Sequence, residues 1–230
     1  MTAGVKRQGA SRHRVESVTR RGSYAKGVLK REEILLTALD VIASHGYRRA
    51  SVRDLAEAVG LSQAGLLHYF DSKEELFTSV LRKRDEVNLA TVFRDGGELP
   101  DPAVLLENYV ELIRHRTDVP GLVQLHAALA AESADASHPS HEYFAQRLVF
   151  LTSTFAEVFT GLQVRGAFAA GVDAAAFAVT LVALVDGLQV QWMHDPSLDM
   201  AAQLEHLLAL VMVPQHERAA PPAEPRADAL

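Results

Sequence analysis

Gln63, Ala64, Gly65 and His68 crowd the start of a short segment that follows a tight turn. A glutamine amide can pair bidentately with the edge of an adenine, and an alanine methyl can touch the methyl of a thymine. A glycine among them lets the backbone come close to a partner. Ser51, Arg53, Tyr69 and Lys73 lie nearby and offer hydroxyls and cations suited to phosphate oxygens. Together these residues suit recognition of duplex DNA: four candidates for base edges and four for the backbone.

The elements that must hold them are legible in residues 51–70, SVRDLAEAVGLSQAGLLHYF. Val52, Leu55, Ala56 and Val59 recur at helical spacing and give the first helix one apolar stripe. Ser51 and Asp54 form a capping box with Asp in the usual Glu position. Gly60 suits the left-handed residue that ends a helix, and Leu61 plugs the turn. Ser62 caps a second helix expected over residues 63–70, with Leu66 and Phe70 turned into the core. Helix, glycine turn and Ser-capped helix is the layout of a helix-turn-helix, whose second helix enters the major groove.

Residues 30–84 resemble the DNA-binding domain of the tetracycline-repressor (TetR) family of bacterial regulators. The likeness rests on R-E-E-I-L at 31–35, A-L-D-V-I-A-S-H-G-Y at 38–47 and S-V-R-D-L-A-E-A-V-G-L-S at 51–62. It continues through H-Y-F at 68–70 and S-K-E-E-L-F at 72–77. Leu67 departs from the pattern, since the family usually has a Tyr there that touches the DNA backbone. Leu67 cannot donate a hydrogen bond, so that contact is lost or passes to His68 or Tyr69. The resemblance also implies a phosphate contact for Lys73, which otherwise sits unfavourably in the first turn of a helix.

Net charge is −6, with no cysteine in 230 residues. Disulfides and thiolate metal sites are thereby excluded, and a reducing cytoplasm is the expected location. The charge is unevenly spread. Residues 1–84 hold 16 Lys/Arg and 9 Asp/Glu, whereas residues 85–230 hold 7 and 20. A positive end attracts phosphates while the negative remainder stays clear of them. Residues 1–29 carry seven Lys/Arg against the single acid Glu16 and read as a basic flexible arm. Arg20, Arg21 and Lys26 are its candidate DNA contacts. Arg48 and Arg49, in the loop before Ser51, are further candidates for phosphate.

The remaining chain reads as capped helices. Lys30 to Ser44 forms the first, ended by Gly46, and Tyr47 packs back. Ser72, boxed with Glu75, opens a fourth helix that links two domains and ends near Asp95-Gly96-Gly97. Asp101-Pro102, Pro120, His141, Asp173 and Asp199 open the others. Leu105, Tyr109, Leu112 and Arg116 share one face. The fold class is all-α, about nine helices. A three-helix helix-turn-helix DNA-binding domain (30–76) precedes a C-terminal helical ligand-binding and dimerisation bundle (77–213) and a disordered tail (214–230).

Residues 174–192 are apolar nearly all round, and a helix of that kind must be buried on both sides. A dimer interface does this most simply, and the resemblance implies a four-helix bundle made by the last two helices of each subunit. Leu181, Leu184, Leu188, Leu204, Leu208 and Val211 are its candidates. The apolar run 174–185 is 12 residues long before Asp186, too short to span a bilayer. The resemblance further implies a small-molecule effector inside the C-terminal bundle. Arg94, Tyr109, His115, His126, Phe144, Gln189 and Trp192 are its candidate contacts, although His126 reads first as a core histidine hydrogen-bonded to backbone and Trp192 as packing or interface. His138 and His141 lack a third metal ligand. No nucleophile elbow, phosphate-cradling glycine loop or H-E-x-x-H occurs. The expected partners are therefore an operator in double-stranded DNA, a second copy and an unknown effector, with no cofactor, catalytic residue, metal or membrane. A DNA-binding dimer without an effector, and a helical carrier or enzyme, are the competing readings.

Overall fold

The computed structural model describes the backbone of residues 12–47, 50–92 and 101–214, and side chains within those ranges from residue 26 onward. Arg48, Arg49, Arg94, the side chains of Arg20 and Arg21, the turn at Asp95-Gly96-Gly97 and the tail from residue 215 lie outside the described residues. The chain is all-helical: α1 (Arg12–His45), α2 (Val52–Ala58), α3 (Gln63–Leu67), α4 (Lys73–Val92), α5 (Pro102–Arg114), a 3-10 turn (His115–Asp118), α6 (Pro120–Glu132), α7 (His141–Val164), α8 (Ala174–His194) and α9 (Met200–Ala209). The only bridge pairing among the described residues joins Phe168 to Met212.

Caps set most of these boundaries. Ser51 and Asp54 make the full reciprocal box at the start of α2. Asp101, Asp173 and Asp199 each accept backbone N–H groups at the starts of α5, α8 and α9. Ser72 Oγ accepts the Glu75 N–H at 3.0 Å, but Glu75 reaches back to the Asp71 N–H, one residue before the expected partner. Gly46 and Gly60 have φ of 81° and 69°, the left-handed conformation that a side chain would strain.

Two boundaries differ from the sequence expectation. α1 begins at Arg12, so residues 12–29 prolong a helix rather than forming a flexible arm. No proline intervenes, and a glycine costs only about 1 kcal/mol within a helix, so Gly22 and Gly27 do not break it. Val28 and Leu29, at the inner end of this extension, are exposed. α3 stops at Leu67 rather than Phe70. Tighter turns follow, with Tyr69 N–H donating to Leu66 O and Phe70 N–H to Leu67 O, and they drive Phe70 into the core.

Two apolar clusters organise the packing. One joins α5, α7, α8 and α9 around Phe155, Phe159, Phe168 and Phe177. The other unites α1 to α4 but also takes Leu122, Leu125 and Leu129 from α6 and Tyr143 and Phe144 from α7. The four N-terminal helices therefore share a core with the C-terminal bundle, and Phe77, Val80 and Leu81 lie inside it. α8 is long and apolar enough to cross a membrane by length and composition. Here its Phe177, Ala178, Leu181, Val182, Val185 and Leu188 are packed in the first cluster.

The two halves approach closely at Gly121, in the first turn of α6. A Cβ there would stand 2.0 Å from the Ile42 carbonyl oxygen and 2.8 Å from the Gly46 Cα. Only glycine lets α6 meet the end of α1. A set of charged and polar groups crosses the same region. Asp85 accepts from Arg84 at 2.9 Å, Arg147 at 3.1 Å and the Tyr143 hydroxyl at 2.6 Å. Burial pushes Asp85 up, yet the two guanidiniums and the hydroxyl outweigh it and hold the carboxyl at about 2. His126 is buried between Arg84 (3.4 Å from Nδ1) and Asp186 (3.4 Å from Nε2). The guanidinium can only donate, so Nδ1 accepts and the ring proton sits on Nε2. Burial pulls His126 down to about 4 in spite of Asp186, so the ring is neutral near pH 7.

Two outcomes follow. Gly121→Ala should cost about 2–3 kcal/mol in urea unfolding, because α1 and α6 must separate. The pH dependence has a defined sign. The unfolded chain protonates His126 near 6.5, whereas the folded chain resists until about 4, so stability falls as pH drops through that window. Wild type should lose about 2–3 kcal/mol more between pH 7 and pH 4.5 than His126→Gln does, measured by urea unfolding.

Candidate nucleic-acid interface and interior hollows

α3 is held by its base and displayed by its outer face. Ser62 Oγ accepts the Gly65 N–H at 3.0 Å and fixes the first turn. Leu66 is fully buried, and Phe70 nearly so. Gln63, Ala64 and His68 are exposed, with Gly65 half-buried between them. A Cβ on Gly65 would lie 3.2 Å from Ser62 Oγ, so this glycine relieves its own cap as well as leaving the backbone open. Leu67 is 37% exposed, an apolar side chain on the same presented segment. Tyr69 is half-buried, and its ring meets His68 edge-on at 6.1 Å.

The phosphate candidates divide into committed and uncommitted groups. Ser51 is exposed, but its hydroxyl donates to Asp54 at 2.5 Å and its N–H donates to the same carboxylate at 3.0 Å. These bonds lower the Asp54 pKa and tie Ser51 to capping. Arg53 and Lys73 are exposed and form no ion pair among the described residues. Lys73 Nζ lies 5.6 Å from the Phe77 ring centroid, which keeps it in the first turn of α4 beside α3. Arg31 is spent internally: it donates to Glu75 and Ser79, both at 2.9 Å, and covers the Phe70 ring. Lys26, on the extension of α1, is exposed.

The interior candidates are dispersed. Tyr109 lines an inner hollow of about 70 Å³ between α4, α5 and α7. His115 lines an outer hollow of about 240 Å³ bounded by α1, α4, α5 and α6. His126, Phe144, Gln189 and Trp192 are packed in the interior instead. His126 meets Phe144 with the rings tilted and their centroids 5.4 Å apart, and Gln189 donates to Asp186 at 3.1 Å. His138 Nδ1 accepts the Ser140 N–H and His141 Nδ1 bonds the Ser133 carbonyl, so both rings brace the loop before α7.

Arg116 escaped the sequence reading, and it lines both hollows. It is only 8% exposed, and its Nη1 has no hydrogen-bond partner among the described residues. Burial pulls its pKa down to about 10. Tyr109 and Asp186 oppose the shift, and the like charges of Arg84 and Arg147 add to it. The signal was available: a cation on an otherwise apolar stripe with Tyr109 and Leu112.

The expected dimer contacts require correction. Leu181, Leu188, Leu204 and Leu208 are buried within the protomer, and Leu184 and Val211 pack against the same cluster. α9 covers one side of α8 and uses up those side chains. Exposed apolar side chains on these helices include Leu148, Val149, Phe150 and Val164 of α7, Val179 and Val190 of α8, and Leu210 at the end of α9. From Ala175 to Gln191 the exposed residues of α8 include no charge.

Known proteins share both halves of this arrangement. Residues 34–80 match the model of bacterial regulatory proteins of the tetR family, and residues 120–212 match the C-terminal domain of BetI-type transcriptional repressors. The transcriptional repressor AcnR of Corynebacterium diphtheriae is 41% identical over 69 residues, covering 30% of this chain and 36% of that protein. The chain thus matches little more than a third of that relative's length. A putative TetR-family regulator from Rhodococcus sp. has the same fold, with a TM-score of 0.62 at 24% identity over 80% of this chain and 98% of that one. A putative regulator from Saccharomonospora viridis, solved in complex with choline, aligns at 22% identity with a TM-score of 0.60 over 80% of this chain and 98% of that one. The helix-turn-helix, the helical bundle fused to its core and these two family matches together place the chain in the TetR family of bacterial regulators.

Proposed function

We propose that the chain is a cytoplasmic, DNA-binding transcriptional repressor that acts as a homodimer and leaves a pseudo-palindromic operator when a small molecule occupies its C-terminal bundle. The observation that carries this reading is α3: a short helix pinned by Ser62, Leu66 and Phe70 that shows Gln63, Ala64 and His68 to solvent. Arg53 and Lys73 flank it as uncommitted cations. Lys26 and the basic residues around it extend the positive end along α1. Gln63, Ala64, Gly65 and His68 are assigned to base edges, and Arg53, Tyr69 and Lys73 to phosphate. Ser51 serves chiefly to cap α2.

One protomer carries one α3, and a reader of a pseudo-palindrome needs two about one helical turn apart. The uncharged outer face of α8, with the neighbouring exposed residues of α7, is the surface assigned to that pairing. Small side chains there, Ala176, Ala183 and Gly187, permit close approach of helices. Two hollows near the joint between α1 and the bundle support an effector over the reading without one. A putative regulator of the same fold was solved in complex with choline, which is in keeping with a small-molecule effector.

Fluorescence anisotropy on DNA from upstream of the chain's own gene tests the proposal. Binding should be tighter than to scrambled DNA and should weaken steeply with salt. Equal affinity for both DNAs at every salt concentration would contradict it. Gln63→Ala should cost about 1–3 kcal/mol on the preferred sequence and relax the choice at one base pair per half-site. Lys73→Ala should weaken all sequences alike and reduce the salt slope by about 1 per protomer. Val179→Arg should shift the protein toward monomer in sedimentation velocity and reduce operator affinity by about tenfold or more, with helical content unchanged. A fully dimeric Val179→Arg protein would move the interface off this face.

A further inference from the structure

Asp85, Arg116 and Arg147 line the inner hollow, Arg84 lines the outer one, and Asp186 acts electrostatically on Arg116 and Arg147; these five charges do not balance. Arg84, Arg116 and Arg147 face Asp85 and Asp186, leaving one positive charge in excess among the described residues. His126, neutral between Arg84 and Asp186, adds nothing to the sum. The two carboxylates are already occupied. Asp85 accepts from Arg84, Arg147 and Tyr143, and Asp186 accepts from Gln189 and lies against His126. Asp40, the one carboxylate lining the outer hollow, is exposed to solvent. Arg116 is therefore the group left over: more than nine-tenths buried, lining both hollows, with Nη1 unpartnered.

A buried charge without a partner is costly, and a protein keeps one where something else completes the pair. We propose that the hollow at Arg116 is a binding site for a small organic anion, a carboxylate with an apolar body, whose oxygens pair with the Arg116 guanidinium. The shape of the donor suits a carboxylate, which a guanidinium binds through two parallel N–H donors. The walls suit the remainder of the ligand: Leu105, Tyr109, Phe150 and Phe155 are apolar or aromatic. A cation such as choline would meet the excess positive charge and is disfavoured here.

The site has a consequence for regulation, which rests on the effector reading above. The outer hollow at Arg116 is bounded by Leu39 and Ala43 of α1 and by Leu122 and Val123 of α6, the helices that meet at Gly121. Arg116 lines both hollows, so an anion that pairs with it from the inner one acts on a guanidinium that also borders the joint carrying α1 to α3.

Butyrate, butanol and butyltrimethylammonium are the probes, added to the full-length protein in a zwitterionic buffer. Ionic strength is held with sodium gluconate, because chloride could itself pair with Arg116. Butyrate should raise the thermal midpoint in a concentration-dependent manner, and the alcohol and the cation should not. Arg116→Met keeps the length of the side chain and removes the charge. It should bind butyrate about tenfold more weakly or not at all, and its own midpoint should equal or exceed that of wild type. Equal response to butyrate in both proteins, equal response of wild type to butanol, or a marked loss of stability in unliganded Arg116→Met would each overturn the proposal. DNA anisotropy with and without butyrate then separates the two readings. Release from DNA in wild type alone supports both, whereas binding without release leaves the anion site standing and removes its role as an effector site.

Discussion

The structure depends on one close contact. Gly121 brings the start of α6 against the carboxyl end of α1, with no room for even a methyl group beside the Ile42 carbonyl. α1 is the spine of the DNA-reading cluster, and α6 sends Leu122, Leu125 and Leu129 into that same cluster. The reader is therefore built into the bundle rather than tethered to it. Closely packed interiors shift between discrete arrangements rather than bending continuously. A change in how α6 sits must accordingly be answered by α1, and through α1 by α2 and α3.

The polar layer beside this contact gives the joint its directionality. Arg84 and Asp85 come from α4, His126 from α6, Tyr143 and Arg147 from α7 and Asp186 and Gln189 from α8. Buried groups of this kind are satisfied only in one relative placement of their helices, because removing a partner strands the other. Apolar contacts alone would tolerate sliding. Such a layer fixes the register of four helices, and Arg116 stands at its edge with an Nη1 that has no hydrogen-bond partner among the described residues.

Legibility followed the physical nature of each feature. The turn between α2 and α3 was readable residue by residue, because Ser51, Asp54, Gly60 and Ser62 act on their immediate neighbours and leave a local signature. The same holds for Asp101, Asp173 and Asp199. The dimer candidates could not be sorted by periodicity: α8 is apolar nearly all round, so spacing does not say which of its sides the protomer itself buries. Leu181 and Leu188 went to the protomer, and Val179 and Val190 were left outside. The start of α1 was missed because a basic, apolar-poor stretch reads as coil when nothing in it marks a helix. Arg116 was placed on the correct stripe, but the hollow it lines is completed by residues of α4 and α7, which are distant in sequence. The pairing of His126 with Asp186, 60 residues apart, was hidden for the same reason.

The account's central claim is that two copies of α3, carried on paired bundles, read one DNA site. Selection of the full-length protein against a random duplex library, followed by sequencing of the bound fraction, tests it most directly. The account predicts an enriched inverted repeat whose half-sites are centred about one helical turn, or a multiple of it, apart. A single unrepeated half-site, or no enriched sequence at any salt concentration, would contradict it.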